Sequence, residues 1–337
     1  MPARFFSNFW LGPRGHAAVQ FVRGRTIVKR IQYDRYGGPE TMRIEDFDLA
    51  EPEAGQVAIK VKFASVNPID WKLRRGDLKI MTGKSFPRAM GSDFSGTVLA
   101  VGPGVTRFKP GDAVFGLSRL KESGSLGEAV ITNGSFVAKK PEALSFEQAA
   151  CLGTPGVMAW QGLIDSAHVK AGQRVFVNGC TGAVGQAVVQ LARALGASVS
   201  GSCNADSIER ARSLGVDPVY DYASIDLPAI GERFDIVYDT AGGLLATYGL
   251  QLLRGRGLFL DINASPGKFL RALLNRRLKL LICKPNPEIL DGVARLAANG
   301  SIRMAIGQTV PLTQAIKLIG DLEGGRKIAG KALVAAG

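Results

Sequence analysis

Alternating apolar and polar positions dominate the first third of the chain. Residues 55–66 (GQVAIKVKFASV) alternate and are rich in valine and other β-formers. TVLAVG, DAVFGL and EAVITN follow, each bounded by glycine, proline or charge, which is the rhythm of a β-rich domain. Beyond Pro141 the pattern changes: residues 145–164 read as helical, with a turn at Gly153 and Pro155. From Arg174 strand and helix alternate. Strands are expected at 174–178, 197–202, 234–239, 257–262 and 278–283, and helices at 183–195, 206–214 and 244–254. Repeated βα units with right-handed crossovers predict a doubly wound parallel sheet, so the fold class is α/β. A helix over 287–298 then leads back to the β-like segments SIRMAIGQTV and KALVA.

Composition narrows the setting. The 337 residues, 46% of them hydrophobic, suffice for two domains with real cores. Cys151, Cys180, Cys203 and Cys283 are scattered with no C-x-x-C pair, which argues against a disulfide framework or structural zinc and for a reducing compartment, taken as the cytoplasm. The net charge of +13 admits nucleic acid, an anionic membrane or an anionic small molecule as partner. Aromatics are only 7% of the chain and are not interleaved with the basic residues, so single-stranded nucleic acid is not favoured.

Two basic segments stand out. Residues 1–33 hold six cations and no acid. An organelle transit peptide reads this way, but few serines and the Gly12-Pro13-Gly15 break favour a poorly ordered leader or a start placed too early. The stretch 268-KFLRALLNRRLKLLICK-284 mixes bulky apolar residues with cations. It can lie on a membrane surface, but the preferred reading is a helix and strand with the apolar face buried and the basic face in water. No apolar run reaches the length of a membrane-spanning helix.

The stretch 174-RVFVNGCTGAVGQAVVQLARALGASVSGS-202 carries the chemistry. A strand ends at Asn178, glycines follow at 179, 182 and 185, and Ala183, Val184, Ala187, Val188, Leu191, Ala194 and Leu195 form the expected buried stripe of a helix. The first N–H groups of that helix have no internal partner, and its dipole favours an anion. Absent Cβ atoms let a pyrophosphate approach and let helix and strand pack closely. Gly179, Thr181, Gly182, Ala183, Val184 and Gly185 are therefore candidate dinucleotide-binding residues.

An acid at the end of the second strand would bind the adenosine ribose and repel a 2′-phosphate. Ser202 and Asn204 stand there instead, with Arg210 and Arg212 near and Tyr222 further on. Asp206 reads either as a displaced ribose acid or as the start of a D-S-I-E capping box with Glu209. The capping reading is preferred, which favours NADP(H) over NAD(H). Cys180, inside the turn, is read as a small filler.

Longer stretches carry a family resemblance: YGGPETMRIED, ASVNPIDWKLRRGD, FPRAMGSDFSGTVLAVGPGVTRFKPGDAVFGL, NGCTGAVGQAVVQLARALGA, YDTAGG and GKALV. From about residue 28 to its end the chain resembles the medium-chain dehydrogenase/reductase superfamily, in its zinc-free, quinone-oxidoreductase-like branch. The resemblance implies a GroES-like catalytic domain from 28–150 and 287–337, a Rossmann domain over 151–286, and a leader over 1–27. The zinc-dependent relatives use a cysteine and a G-H-E motif where this chain reads Asn67-Pro68-Ile69-Asp70 and Gly91-Ser92-Asp93. His16 and His168 are the only histidines, so no metal is expected. Asn67, Asp70, Trp71 and Thr154 match the family's substrate and nicotinamide surroundings, with Asn67 a donor to a substrate oxygen and Trp71 a pocket wall. Asp239, Gly242, Asn263 and Lys331 match positions near the cofactor. A homodimer is common among such relatives, and the 278–283 strand could pair across a two-fold axis.

The expected function is a zinc-independent, NADP(H)-dependent reductase of quinones or α,β-unsaturated carbonyls. Two alternatives stay open: an NAD(H)-dependent carbonyl reductase, and a dinucleotide-binding structural or RNA-binding protein with little turnover.

Overall fold

The computed structural model describes residues 26–119, 123–263 and 266–337. Most of the expected leader therefore lies outside the described residues; its last two, Thr26 and Ile27, open the first strand.

Both ends of the chain build one seven-stranded sheet. Its order runs Ile306–Pro311, Lys331–Ala335, Gln56–Ser65, Asp93–Val101, Ala113–Leu117, Val137–Lys139, with Ala129–Asn133 also paired to Gln56–Ser65. The C-terminal strand lies antiparallel to Gln56–Ser65, with Leu333 opposite Ser65, and this seam carries Lys331 toward Asn67. A smaller sheet of Arg43–Leu49, Thr26–Tyr33 and Arg88–Ala89 packs nearby.

The middle of the chain forms a six-stranded, all-parallel sheet. Its order is Val219–Asp221, Ser198–Cys203, Arg174–Asn178, Phe234–Asp239, Leu253–Asp261, Leu278–Leu280. The chain reverses direction of progress beside Arg174–Asn178, so the glycine turn that follows this strand sits at the topological switch point. The strands are apolar because helices cover both faces: Val175, Phe176 and Val177 are all fully buried. The expected doubly wound sheet is present.

Several expectations need correction. Gly153 and Pro155 do not interrupt a helix. The chain turns at Cys151–Leu152, and Gly153–Trp160 is a fresh helix with Pro155 in its first turn, where no N–H is needed. The Ala183–Ala194 helix buries a broader face than the expected stripe. Gly185 to Val189, Leu191 and Ala192 are buried, while Ala183, Val184 and Leu195 of the expected stripe are half-buried and Ala194 is exposed.

Candidate active site

The glycine turn is built by backbone contacts that leave no room for side chains. Gly179 has φ +79°, the left-handed region, and its N–H and that of Cys180 both donate to Ser202 O, at 2.9 and 3.0 Å. A Cβ on Gly185 would lie 2.0 Å from Gly179 O, so helix and turn touch through bare backbone. Gly182 differs. It caps the Ala183–Ala194 helix with an ordinary φ of −69°, no side chain caps the N–H groups there, and a Cβ would meet only Gly179 O at 3.3 Å. The space beyond the helix head is open.

The end of the second strand faces the same turn. Ser202 is buried and its hydroxyl donates inward to Asn178 Oδ1 at 2.6 Å. Asn204 is half-buried and leads into a short 3-10 turn, Ala205–Ser207. Asp206 lies inside that turn, exposed, and no capping box forms: Ser207 is the N-cap of the Ile208–Ser213 helix, and Glu209 pairs with Arg212 instead. The capping reading of Asp206 fails because the 3-10 turn shifts the helix start past it. Arg210 reaches back to the glycine turn, donating to Thr181 O and Ser207 Oγ at 3.3 Å each, while its Nε is buried without a partner. Tyr222 is exposed beyond the neighbouring strand, its N–H on Cys203 O. Cys180 is buried, and burial pushes its thiol up to about 12, which fits a filler.

Asp239 is fully buried and organises the next turn. Its carboxylate accepts from Asn178 Nδ2 at 2.8 Å and from the N–H groups of Ala241, Gly242 and Leu244. Gly242, at φ +83°, is pressed against Asn263, whose amide would clash with a Cβ there. Asn263 Oδ1 in turn accepts from Lys72 Nζ at 3.1 Å, a bridge between the parallel sheet and the helix carrying Asp70 and Trp71.

Opposite, a buried polar network joins four distant stretches. Lys331 Nζ donates to Asn67 Oδ1 at 2.6 Å and to Val66 O at 3.2 Å. Asn67 Nδ2 donates to Asp93 Oδ2 at 3.0 Å and to Ser65 O at 3.2 Å. Asp93 Oδ1 accepts from the N–H and hydroxyl of Thr154, at 2.9 and 2.6 Å, and so seats the Gly153–Trp160 helix. Asp70 accepts from Asn67 N at 2.8 Å and Ser92 Oγ at 3.3 Å. Burial raises both carboxyls: Asp70 to about 7, and Asp93 upward against the opposing pull of the Lys331 ammonium.

The structure thus gathers Asn67, Asp70, Thr154 and Lys331 in one cluster, and Gly179 to Gly185 with Ser202 and Arg210 in another. Asn67 has every amide hydrogen and its oxygen engaged within the protein, so it holds Lys331 and Asp93 rather than presenting a free donor. Trp71 is half-buried against the β-rich core. The sequence assigns no site role to Ser92 and Asp93, noted only as standing where the relatives carry G-H-E, or to Lys72 and Asn178. An acid at the head of a β-rich strand with no other charge, DFSGTVLAV, is the signal that points to Asp93. Among the described residues no group of three or more His, Cys, Asp or Glu side chains is placed to hold a metal ion.

Comparison with known proteins bears on this arrangement. A family model described as the alcohol dehydrogenase GroES-like domain matches residues 53–159, and one described as zinc-binding dehydrogenase matches 214–334. The solved quinone oxidoreductase from Coxiella burnetii is 30% identical, with a TM-score of 0.84 covering 92% of this chain and 99% of that one. Escherichia coli quinone oxidoreductase complexed with NADPH is 25% identical, with a TM-score of 0.79 over 91% of this chain and 99% of that one. A chloroplast envelope quinone oxidoreductase homolog from Arabidopsis thaliana is 28% identical over 305 residues, 86% of this chain and 93% of the relative.

Proposed function

This chain belongs to the medium-chain dehydrogenase/reductase superfamily, in its quinone-oxidoreductase-like branch, and is an NAD(P)H oxidoreductase; from that premise we propose that it reduces quinones or α,β-unsaturated carbonyls, prefers NADP(H), and works without a metal.

The residues fit a dinucleotide. Gly182 offers an open cradle at an uncapped helix head, and the N–H groups of Ala183, Val184 and Gly185 would meet the diphosphate. The carrying observation for NADP(H) is Arg210. Its half-buried guanidinium has only neutral partners among the described residues, beside the end of the second strand, where Ser202 and Asn204 present no carboxylate. A 2′-phosphate would supply a charged acceptor. When bound, the reduced nicotinamide supplies a hydride to an electron-poor carbon, and the charge moves onto the acceptor's oxygen.

The chain's own contribution is a fixed frame. The Lys331–Asn67–Asp93–Thr154 network locks the C-terminal strand, the Asn67 turn and the head of the Gly153–Trp160 helix to one another. Such a frame would hold the residues around donor and acceptor in one fixed geometry. Trp71, on the helix next to this network, would form a wall of the acceptor pocket. Lys331 stands within the network in a chain that offers no metal-ligand cluster among the described residues. The polarised carbonyl of a quinone or enone is an acceptor that needs no Lewis acid.

A second reading, NAD(H) use, rests on Asp206, which is exposed and uncommitted to a cap. Mixing the full chain with NADPH or NADH and a panel of quinones and enones separates the readings. Acceptor-dependent oxidation of NADPH, undiminished by a chelator, is expected. Oxidation of NADH alone would favour the second reading, and cofactor binding with no oxidation across the panel would favour the binding-protein alternative.

A further inference from the structure

The segment 262–287 contains Lys268, Arg271, Arg276, Arg277, Lys279 and Lys284, and no Asp or Glu. Within it the Pro266–Leu274 helix turns its bulky side chains outward. Phe269, Leu270, Leu273 and Leu274 are 51%, 61%, 79% and 82% exposed, while Ala272 packs against the core beneath. This reverses the expectation from sequence, in which the apolar face is buried. The strands Phe234–Asp239, Leu253–Asp261 and Leu278–Leu280 follow one another in order and direction. Right-handed crossovers therefore place the Ala246–Gln251 and Pro266–Leu274 helices on one face of the sheet. At the first of these helices Leu245 and Tyr248 are exposed as well.

Among the described residues the cations of this segment have no carboxylate partner, apart from Lys268, which pairs with Asp261. Arg271 and Arg276 are exposed, Lys279 donates to Ser166 O at 2.9 Å, and Arg277 to Gly257 O at 3.1 Å. A two-fold contact made through this segment would set the same acid-free patch on both sides. A surface that takes up apolar side chains and also carries negative charge satisfies both features.

We propose that the Pro266–Leu274 helix docks this protein on an anionic membrane surface, with its leucines and phenylalanine in the acyl boundary and the flanking arginines and lysines on the headgroups. The proposal stands on surface and charge, independently of which acceptor is reduced.

The test is flotation of the full chain with vesicles of phosphatidylcholine alone or with about a third phosphatidylglycerol. It is repeated for the double variants Leu270→Glu/Leu273→Glu and Arg271→Glu/Arg276→Glu, whose side chains are all exposed. Wild type should float with the anionic vesicles only, and be released at about 0.5 M salt. Each variant should lose at least about tenfold in partitioning, with its melting temperature unchanged. Three results would overturn the proposal. One is no flotation of the wild type. Another is flotation that neither variant changes, which would assign binding elsewhere, such as to basic residues 1–33. The third is a wild-type dimer that Leu270→Glu/Leu273→Glu converts to monomer without any vesicle binding, which would make the patch a contact between copies.

Discussion

Lys331 and Asn67 lie 264 residues apart in sequence, yet the ammonium of one rests 2.6 Å from the amide oxygen of the other, fully inside the protein. That contact closes the chain's two ends into one sheet and supplies the positive charge that Asp93 and Asp70 face. Lys331→Met should leave Asp93 buried without its cation and cost about 3–5 kcal/mol of stability. Adding Asp93→Asn should recover much of that loss, because the amide needs no counter-charge. Chemical denaturation of the two variants checks it.

Asp70 gives the fold a pH dependence with a definite sign. Its folded value of about 7 lies above the ordinary 3.8, because burial disfavours the charge. The stabilisation from its protonated form is fully present below the ordinary value and is lost as pH rises through about 7. Asp70→Asn mimics the protonated acid and can still accept from Asn67 N–H. The stability of the variant relative to wild type should climb between about pH 4 and 7, by up to about 4 kcal/mol. A constant difference across that range, measured by denaturation, would show that Asp70 does not titrate there.

Arg210 is the predicted discriminator between the two nicotinamide dinucleotides. Arg210→Ala should weaken NADPH by about tenfold or more while leaving NADH nearly unchanged, since only the 2′-phosphate needs the guanidinium. Equal losses for both would assign Arg210 to holding the turn through Thr181 O. Competitive titration with the two cofactors reads the difference.

The sequence shows some of these features plainly and hides others. The parallel strands were legible because strands covered on both faces are nearly continuous apolar runs, as in RVFVN and FDIVYD. The hairpin of Thr26–Tyr33 and Arg43–Leu49 was not segmented, because its exposed face interrupts the strands with charge: TIVKRIQY pairs with RIEDFDL. The glycine turn could be placed from spacing alone. The network around Asn67 could not, since its partners come from residues 93, 154 and 331, and no local pattern records a long-range contact. The Pro266–Leu274 helix shows a different limit: periodicity reveals an apolar face but not whether the protein itself covers it.

Gly182 and Gly185, three residues apart at the nucleotide turn, should behave differently. Gly185→Ala forces a Cβ to within 2.0 Å of Gly179 O, so it should destabilise the fold by about 1–3 kcal/mol. Thermal denaturation checks this.

Gly182 provides the sharpest test, because a Cβ there meets only Gly179 O, at 3.3 Å, and a small shift of the turn admits it, while the rest of the side chain intrudes on the space above the helix head. The measurement is calorimetric titration of NADPH into wild type and Gly182→Val. Saturable binding to wild type and at least about tenfold weaker binding to the variant, measured at a temperature where both are fully folded, is the predicted result. Equal affinities, or no binding to wild type, would contradict the placement of a dinucleotide at this turn.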